Sequence, residues 1–207
     1  MKKAIEVFSS WAKLGKDEGM RKNHYPAFLE IKEIIRNNFK SERNITVGDF
    51  GCGNGWATEE LLKEKNIKQA VGYDGSGQMI KKAKKNFLKP SFIKTDLNQW
   101  KEEKEFNIIY SMEFLYYLKK PEAFVASVCS HNLKANGMFI AGIDHYLENK
   151  QSLGWSKDLN VKMKTKSISE WEALLKEAGL KKVKSAQINQ KPEWGGTLII
   201  YGVKNAL

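Results

Sequence analysis

The sequence predicts an α/β fold, a mostly parallel sheet with helices on both faces, and three observations carry that expectation. Short apolar strand-like runs alternate with helical patterns from residue 45 to residue 143, as parallel strands joined by crossover helices do. A glycine-rich turn, Gly51-Cys52-Gly53-Asn54-Gly55, joins the first such run to the first helical pattern behind it. Near the end, strand candidates over 181–188 and 197–203 follow each other with no helix between them. They are expected to pair as an antiparallel hairpin, because a short connection cannot make the crossover that parallel strands require.

In chain order, Pro26 to Arg36 comes first, where Phe28, Ile31, Ile35 and then Phe39 fall at helical spacing and Pro26 suits a first helical turn. Strands are expected at about 45–50, 69–74, 91–95, 106–110 and 137–143, and helices at about 56–65, 76–88 and 121–131, the last opened by Pro121. Within 79–87 the lysines look like a basic patch, but Met79, Ala83 and Phe87 stand four apart on one face. The lysines therefore read as the solvent side of a packed helix. Ser167-Ile168-Ser169-Glu170 fits a capping box, Trp171, Leu174, Leu175 and Ala178 form an apolar stripe, and Gly179 supplies the stop. The stretch from His145 to Lys166, with Trp155 in its middle, reads as a long insertion over one edge of the sheet, and long loops in compact domains are often functional.

A chain of 207 residues with 42% hydrophobic and 29% charged composition is an ordinary globular sequence with room for one sizeable core. No segment approaches the ~18 uninterrupted apolar residues of a membrane span, and Glu6 and Lys13 interrupt any signal-peptide-like region. A cytoplasmic protein that does not engage a membrane is expected. Cys52 and Cys129 lie far apart and the three histidines are scattered, so no metal site is expected from spacing. The formal charge is +11, yet arginine occurs only at Arg21, Arg36 and Arg43, and lysine is the poorer of the two for bidentate phosphate or base contacts. Two readings of the charge stand, a solvated lysine-rich surface and an anionic partner such as nucleic acid.

The chemistry concentrates at strand ends. Gly51, Gly53 and Gly55 follow a buried strand and open a helix, so the backbone can turn sharply and approach a ligand there, with unpaired amides of the next helix aimed at it. The first strand carries Asp49, the second ends in Gly72-Tyr73-Asp74-Gly75-Ser76 and the third in Lys94-Thr95-Asp96-Leu97, which puts acidic residues where open parallel sheets bind ligands. A carboxylate at the second strand end can accept both hydroxyls of a ribose, and Asp96 could take the exocyclic amine of adenine. The third glycine arrives one residue early for the dinucleotide fingerprint G-x-G-x-x-G.

At these residues the sequence resembles the class I S-adenosylmethionine-dependent methyltransferases, in the small-molecule branch that includes ubiquinone/menaquinone-biosynthesis-like enzymes. The matching pieces are Asp49 to Gly55, Gly72 to Ser76, Thr95-Asp96-Leu97, the run Phe106 to Leu118, and the turn Leu133 to Gly137 before Met138. The resemblance covers roughly residues 45 to 145 and implies a Rossmann-like, seven-stranded sheet with the last strand antiparallel. It further implies S-adenosyl-L-methionine as cofactor, with the glycine loop Gly51, Cys52, Gly53 and Gly55 cradling the methionine part, Asp74 accepting from the ribose and Asp96 partnering the adenine, and with Asp49, Gly75, Ser76, Met79, Thr95, Leu97 and Trp11 also in the cofactor site. Ser111 and Met112 would floor the methyl-donor site. Helices before the first strand form a lid in relatives, which draws attention to Trp11 and to Arg21 to Tyr25.

The expected organisation is one domain, with a helical lid over 1–43, a cofactor-binding core over 44–144, and an insertion, helix and hairpin over 145–207. The expected activity is in-line methyl transfer to a small-molecule acceptor; methylation of RNA or protein by the basic surface, or cofactor binding without turnover, are the alternatives. Where nucleic-acid amine methyltransferases carry a proline-rich motif, this chain reads Tyr110-Ser111-Met112-Glu113-Phe114, which weakens a base amine as acceptor. The candidates for a general base are His24, Glu113, Asp144 and His145, with His145 and Glu113 put forward as catalytic, while an uninvolved surface histidine is the other reading of His145. A monomer or homodimer is expected.

Overall fold

The strand Ile45–Phe50 (β1) is buried on both faces, as a central parallel strand must be. It pairs in parallel with Ile67–Asp74 (β2) on one side and Phe106–Met112 (β4) on the other. The computed structural model describes residues 1–206, in which Ser91–Lys94 (β3), Leu133–Ile143 (β5), Lys181–Ile188 (β6) and Thr197–Val203 (β7) complete a seven-stranded sheet of order β3-β2-β1-β4-β5-β7-β6. The first five strands are parallel, and β7 runs antiparallel between β5 and β6. The hairpin expected from the missing crossover is present. Its second strand inserts into the sheet, which leaves β6 at the edge.

Helices Ala4–Leu14 (α1) and Glu18–Asn38 (α2) precede the sheet, Trp56–Leu62 (α3) follows β1 and Gly77–Asn86 (α4) follows β2. Pro121–His131 (α5), the single turn Trp155–Asp158 (α6) and Ile168–Glu177 (α7) come later. Phe28, Ile31 and Ile35 of α2 and Trp56, Ala57 and Leu61 of α3 bury against one face of the sheet. Phe124, Val125 and Val128 of α5 and Trp171, Leu174 and Leu175 of α7 bury against the other. Met79 and Ala83 of α4 are buried and its lysines cover the outer side, as their spacing requires. The capping box of α7 forms as read, with Glu170 N–H donating to Ser167 Oγ at 3.2 Å and Ser167 N–H to Glu170 Oε2 at 2.7 Å.

Several boundaries move for local reasons. The helix expected to open at Pro26 begins at Glu18 and carries Pro26 in its interior. Proline cannot donate to the carbonyl four residues back, that of Lys22; both residues line an open cavity, so the missing bond falls on a wall where it is tolerated. The helix expected over 56–65 stops at Leu62, because the Glu64 and Ile67 amides turn back onto Leu61 and Glu64 to start β2 two residues early. The insertion holds α6 and a 3-10 turn at Lys150–Ser152, and it is pinned by the N-terminus, where Lys2 N–H donates to Asn160 O at 2.8 Å.

Ile199 and Ile200 of β7 are both fully buried but face opposite clusters. Ile199→Ala and Ile200→Ala should each cost about 2–5 kcal/mol in urea unfolding. If one were nearly neutral, β7 would be a half-exposed strand rather than an inserted one.

Candidate active site

The turn after β1 takes its shape from three left-handed glycines, Gly51, Gly53 and Gly55, with φ of 84°, 53° and 83°. The Gly51 and Cys52 amides both donate to the Tyr73 carbonyl, at 2.8 and 3.0 Å. Asp74, at the end of β2, then ties the two loops together, accepting Gly53 N–H on Oδ2 at 2.9 Å and Ser76 N–H on Oδ1 at 2.7 Å. Burial pushes the Asp74 carboxyl above its usual range, against the pull of those two amides. A side chain on Gly53 would meet only the end of Met20 at 3.7 Å, so this is the glycine that keeps the loop open to a ligand, whereas one on Gly55 would collide with Phe92 and Ala83. Gly55 serves helix packing. Beneath the loop, Asp49 is buried and accepts the Thr58 hydroxyl at 2.6 Å; burial pushes its carboxyl up to about 7, with the Thr58 hydrogen bond opposing and the Asp74 charge adding to it.

A cavity of about 1000 Å³ opens over these strand ends, at the top of the range for small-molecule sites and large enough for a cofactor with a second molecule. Its floor includes Gly51, Gly53, Asp74, Gly75, Met79, Asp96, Leu97, Met112 and Glu113. Its roof is α1, which presents Ala4, Ile5, Phe8 and Trp11 to the cavity and buries no residue fully in the protein. The half-buried side chains of α1 pack it against α4 and the rim of the cavity. Ser9 and Ser76 share a hydrogen bond of 2.8 Å and Phe8 meets Trp11 and Tyr117 edge-on at 5.3 and 5.2 Å. At the junction with α2 the fully buried Asp17 accepts Asn54 Nδ2 and Lys82 Nζ, each at 2.8 Å, which fastens the start of α2 to the glycine turn and to α4. Across the cavity Trp155 stacks on Trp194 at 5.9 Å.

Three polar side chains from three elements meet between roof and floor. His24 comes from α2, Glu113 from the end of β4 and Asp144 from the end of β5, with donor atoms all within 4.8 Å of one another. Glu113 holds a left-handed backbone, φ 54°, uncommon for a residue with a side chain, and is anchored by its N–H on Gly142 O at 2.9 Å. Its carboxylate accepts Asp144 N–H at 2.6 Å and the Tyr116 hydroxyl at 2.7 Å. Burial, with Asp144 nearby, pushes Glu113 well above the usual carboxyl range. Asp144 is raised by burial against the pull of His24, and the Thr197 hydroxyl favours its anion without making a well-aligned hydrogen bond. His24 is lowered by burial, partly offset by Asp144.

The sequence candidates divide into two groups. Trp11, Gly51, Gly53, Asp74, Gly75, Met79, Asp96, Leu97, Met112 and Glu113 line the cavity. Asp49, Cys52, Gly55, Ser76, Thr95 and Ser111 stand behind it: Ser76 caps α4, Thr95 N–H bonds the Asp74 carbonyl and Ser111 Oγ donates to Phe50 O at 2.9 Å. His145 corrects its surface reading. It is buried rather than on the surface, and both ring nitrogens are engaged, Nδ1 donating to Ser152 O at 3.0 Å and Nε2 accepting from Thr165 at 2.8 Å. Held by both contacts, His145 is not among the residues that line the cavity. Sequence reasoning missed Ile5, Ser9, Asp17 and Asn54, because a lid contact leaves no periodic or spacing signal.

The sheet order, the glycine turn joined to Asp74 and the cavity above them are those of an S-adenosylmethionine-dependent methyltransferase. The model of the family described as "methyltransferase domain" matches residues 21–185, and the chain belongs to that family. It is 29% identical over 195 residues to the ubiquinone biosynthesis O-methyltransferase of Pelagibacter ubique, covering 86% of this chain and 80% of that one. A malonyl-[acyl-carrier protein] O-methyltransferase of Halalkalibacterium halodurans is 33% identical over 119 residues, 54% of this chain and 43% of its own. Among solved structures, a putative methyltransferase of Haloferax volcanii, in complex with a methyltransferase activator, superposes with TM-score 0.81 at 24% identity over the whole of both chains. Magnesium protoporphyrin IX methyltransferase of Synechocystis with bound S-adenosylhomocysteine superposes with TM-score 0.70 at 14% identity over 91% of this chain and 86% of that one. Among the described residues no helix is long and apolar enough to cross a membrane.

Because α1 completes its burial on the cavity, S-adenosylhomocysteine should slow tryptic cleavage after the exposed Lys13 and Lys16 severalfold, followed by mass spectrometry; an unchanged rate would show that α1 does not close on the cofactor. The raised Asp49 carboxyl makes a second prediction, for the ligand-free protein. A folded pKa above the unfolded value adds stability below pH ~4 and loses it as pH rises to about 7. Asp49→Asn should therefore gain on the wild type by a few kcal/mol, to order of magnitude, between pH 4 and pH 8 in denaturant titrations. A constant difference across that range would mean Asp49 stays ionised in the fold.

Proposed function

We propose that the enzyme methylates an oxygen of a small-molecule acceptor, bound in the same cavity as the cofactor with its reacting atom at the His24, Glu113 and Asp144 end. The observation that carries this reading is the cavity itself, which runs from Asp74 and Asp96 past Met112 to Trp155 and Trp194 under one lid. The cofactor supplies an electrophilic methyl group on a sulfonium, open to in-line displacement by an aligned acceptor. Gly53 leaves room for its methionine part, Asp74 accepts the ribose hydroxyls and Asp96 the adenine amine. Phe8, Trp11 and Tyr117 place aromatic faces about the positive sulfonium, an attraction of roughly 0.5–2 kcal/mol. Asp49, Cys52, Gly55, Ser76, Thr95 and Ser111 hold those groups in position from behind.

Oxygen is favoured because the Pelagibacter and Halalkalibacterium relatives are both named O-methyltransferases. The place of the cavity beneath α1 disfavours RNA or protein methylation, since a base or side chain on a polymer would have to reach in under that helix. A flat, uncaged acceptor with an ionisable hydroxyl or carboxyl group fits between Trp155 and Trp194 and the polar cluster.

Calorimetry should find S-adenosylmethionine bound by the wild type and bound at least tenfold more weakly by Asp74→Ala, a loss of about 1.4 kcal/mol or more, with no binding of NAD. Methyl-label transfer to a panel of small phenols and carboxylic acids then tests the acceptor. Label appearing in RNA or protein instead, or NAD binding in place of S-adenosylmethionine, would overturn the reading.

A further inference from the structure

We propose that His24, Glu113 and Asp144 bind one divalent transition-metal ion at the acceptor end of the cavity. The spacing of the scattered histidines in the sequence pointed away from any metal site, and only the fold brings a nitrogen and two carboxylates together. His24 Nδ1 and Asp144 Oδ2 stand 3.5 Å apart, beyond the ~2.7–3.2 Å of a good N–H···O bond. That separation is close to the ~3.4 Å between two ligands of a tetrahedral ion with bonds of ~2.1 Å.

The second observation is independent of spacing. Asp144 is 4% exposed and its Oδ1 has no hydrogen-bond partner, which is an expensive arrangement for a carboxylate without a counter-charge. Among the described residues, the basic group within salt-bridge distance of Asp144 is His24. Among the described residues no lysine or arginine stands within salt-bridge distance of either carboxylate to balance it. A cation between them does so.

The ligands are also well supported. The Tyr116 hydroxyl and Asp144 N–H orient the Glu113 carboxylate while leaving it further lone pairs, and Asn149 Nδ2 holds the Asp144 carbonyl at 2.7 Å. One imidazole with two carboxylates suits manganese or zinc over magnesium or calcium, which prefer all-oxygen sites. All three residues line the cavity, so the remaining coordination positions are open to water or to an acceptor oxygen, whose proton a bound cation makes easier to lose.

Mn²⁺ is the probe, because the buried thiols Cys52 and Cys129 compete for it only weakly. Titration followed by electron paramagnetic resonance and calorimetry should give one ion per chain at about micromolar affinity, and Mg²⁺ should bind at least tenfold more weakly. His24→Ala and Asp144→Asn should each lose at least tenfold in Mn²⁺ affinity while S-adenosylmethionine affinity stays within about threefold, with Glu113→Gln substituting for either variant that does not fold. No binding by the wild type up to millimolar Mn²⁺, or equal affinity in the folded variants, overturns the proposal. Metal binding without S-adenosylmethionine binding would sink the functional reading and leave this one standing.

Discussion

The close approach of the β1 turn to the chain leaving β4 is the constraint on which the site depends. A Cβ on Gly51 would run into the side chain of Phe114, so the turn can lie against the end of β4 only because that side chain is missing. With the gap closed there, the neighbouring strands put their carboxyl ends around one crevice at the point where the sheet's connections change direction, the usual place for a ligand in an open α/β sheet. The Tyr73 carbonyl, shared by the Gly51 and Cys52 amides, and the Asp74 carboxylate, shared by Gly53 and Ser76, lock the same turn to β2. A loop fixed on both sides presents its open face, at Gly53, in one orientation.

Packing around this crevice is uneven, and the unevenness suits catalysis. The sheet's two faces are sealed by fully buried aromatic and aliphatic side chains, while α1 rests on the cavity with none of its residues fully buried. An element with so little burial opens at low cost in free energy. Asp17 ties down the α1–α2 junction through its buried contacts with Asn54 and Lys82, and Lys2 N–H on Asn160 O holds the other end of α1. His24 lies in α2, beyond that junction.

Electrostatics inside and outside the molecule have opposite signs. The chain carries a formal +11, spread over lysines such as those on the outer side of α4, yet the cavity collects Asp74, Asp96, Glu113 and Asp144. Low dielectric raises the buried ones among these toward neutrality and makes a positive ligand the group that relieves them. A sulfonium at one end and a metal cation at the other answer the same imbalance.

Much of this was legible in the sequence. The strand–helix alternation, the glycine turn, Asp74 at the second strand end, the capping box at Ser167 and the terminal hairpin are all local patterns, set by side-chain period, turn stereochemistry and connection length. The boundaries that shifted, such as α2 running through Pro26 and α3 ending at Leu62, are those where tertiary pairing outweighs local preference. Gly51, Gly53 and Gly55 look alike as letters. Whether each faces a ligand, a phenylalanine ring or a neighbouring helix depends on what the folded chain places against it. His24, Glu113 and Asp144 stand far apart in the chain, and no spacing rule joins them, while His145, next to Asp144, is turned away into hydrogen bonds with Ser152 and Thr165. The sequence by itself determined the sheet, its turns and the glycine-turn end of the cavity, because those depend on neighbours in the chain. Only the tertiary structure decided the lid's anchor and the polar cluster, because those depend on residues that meet in space through packing alone.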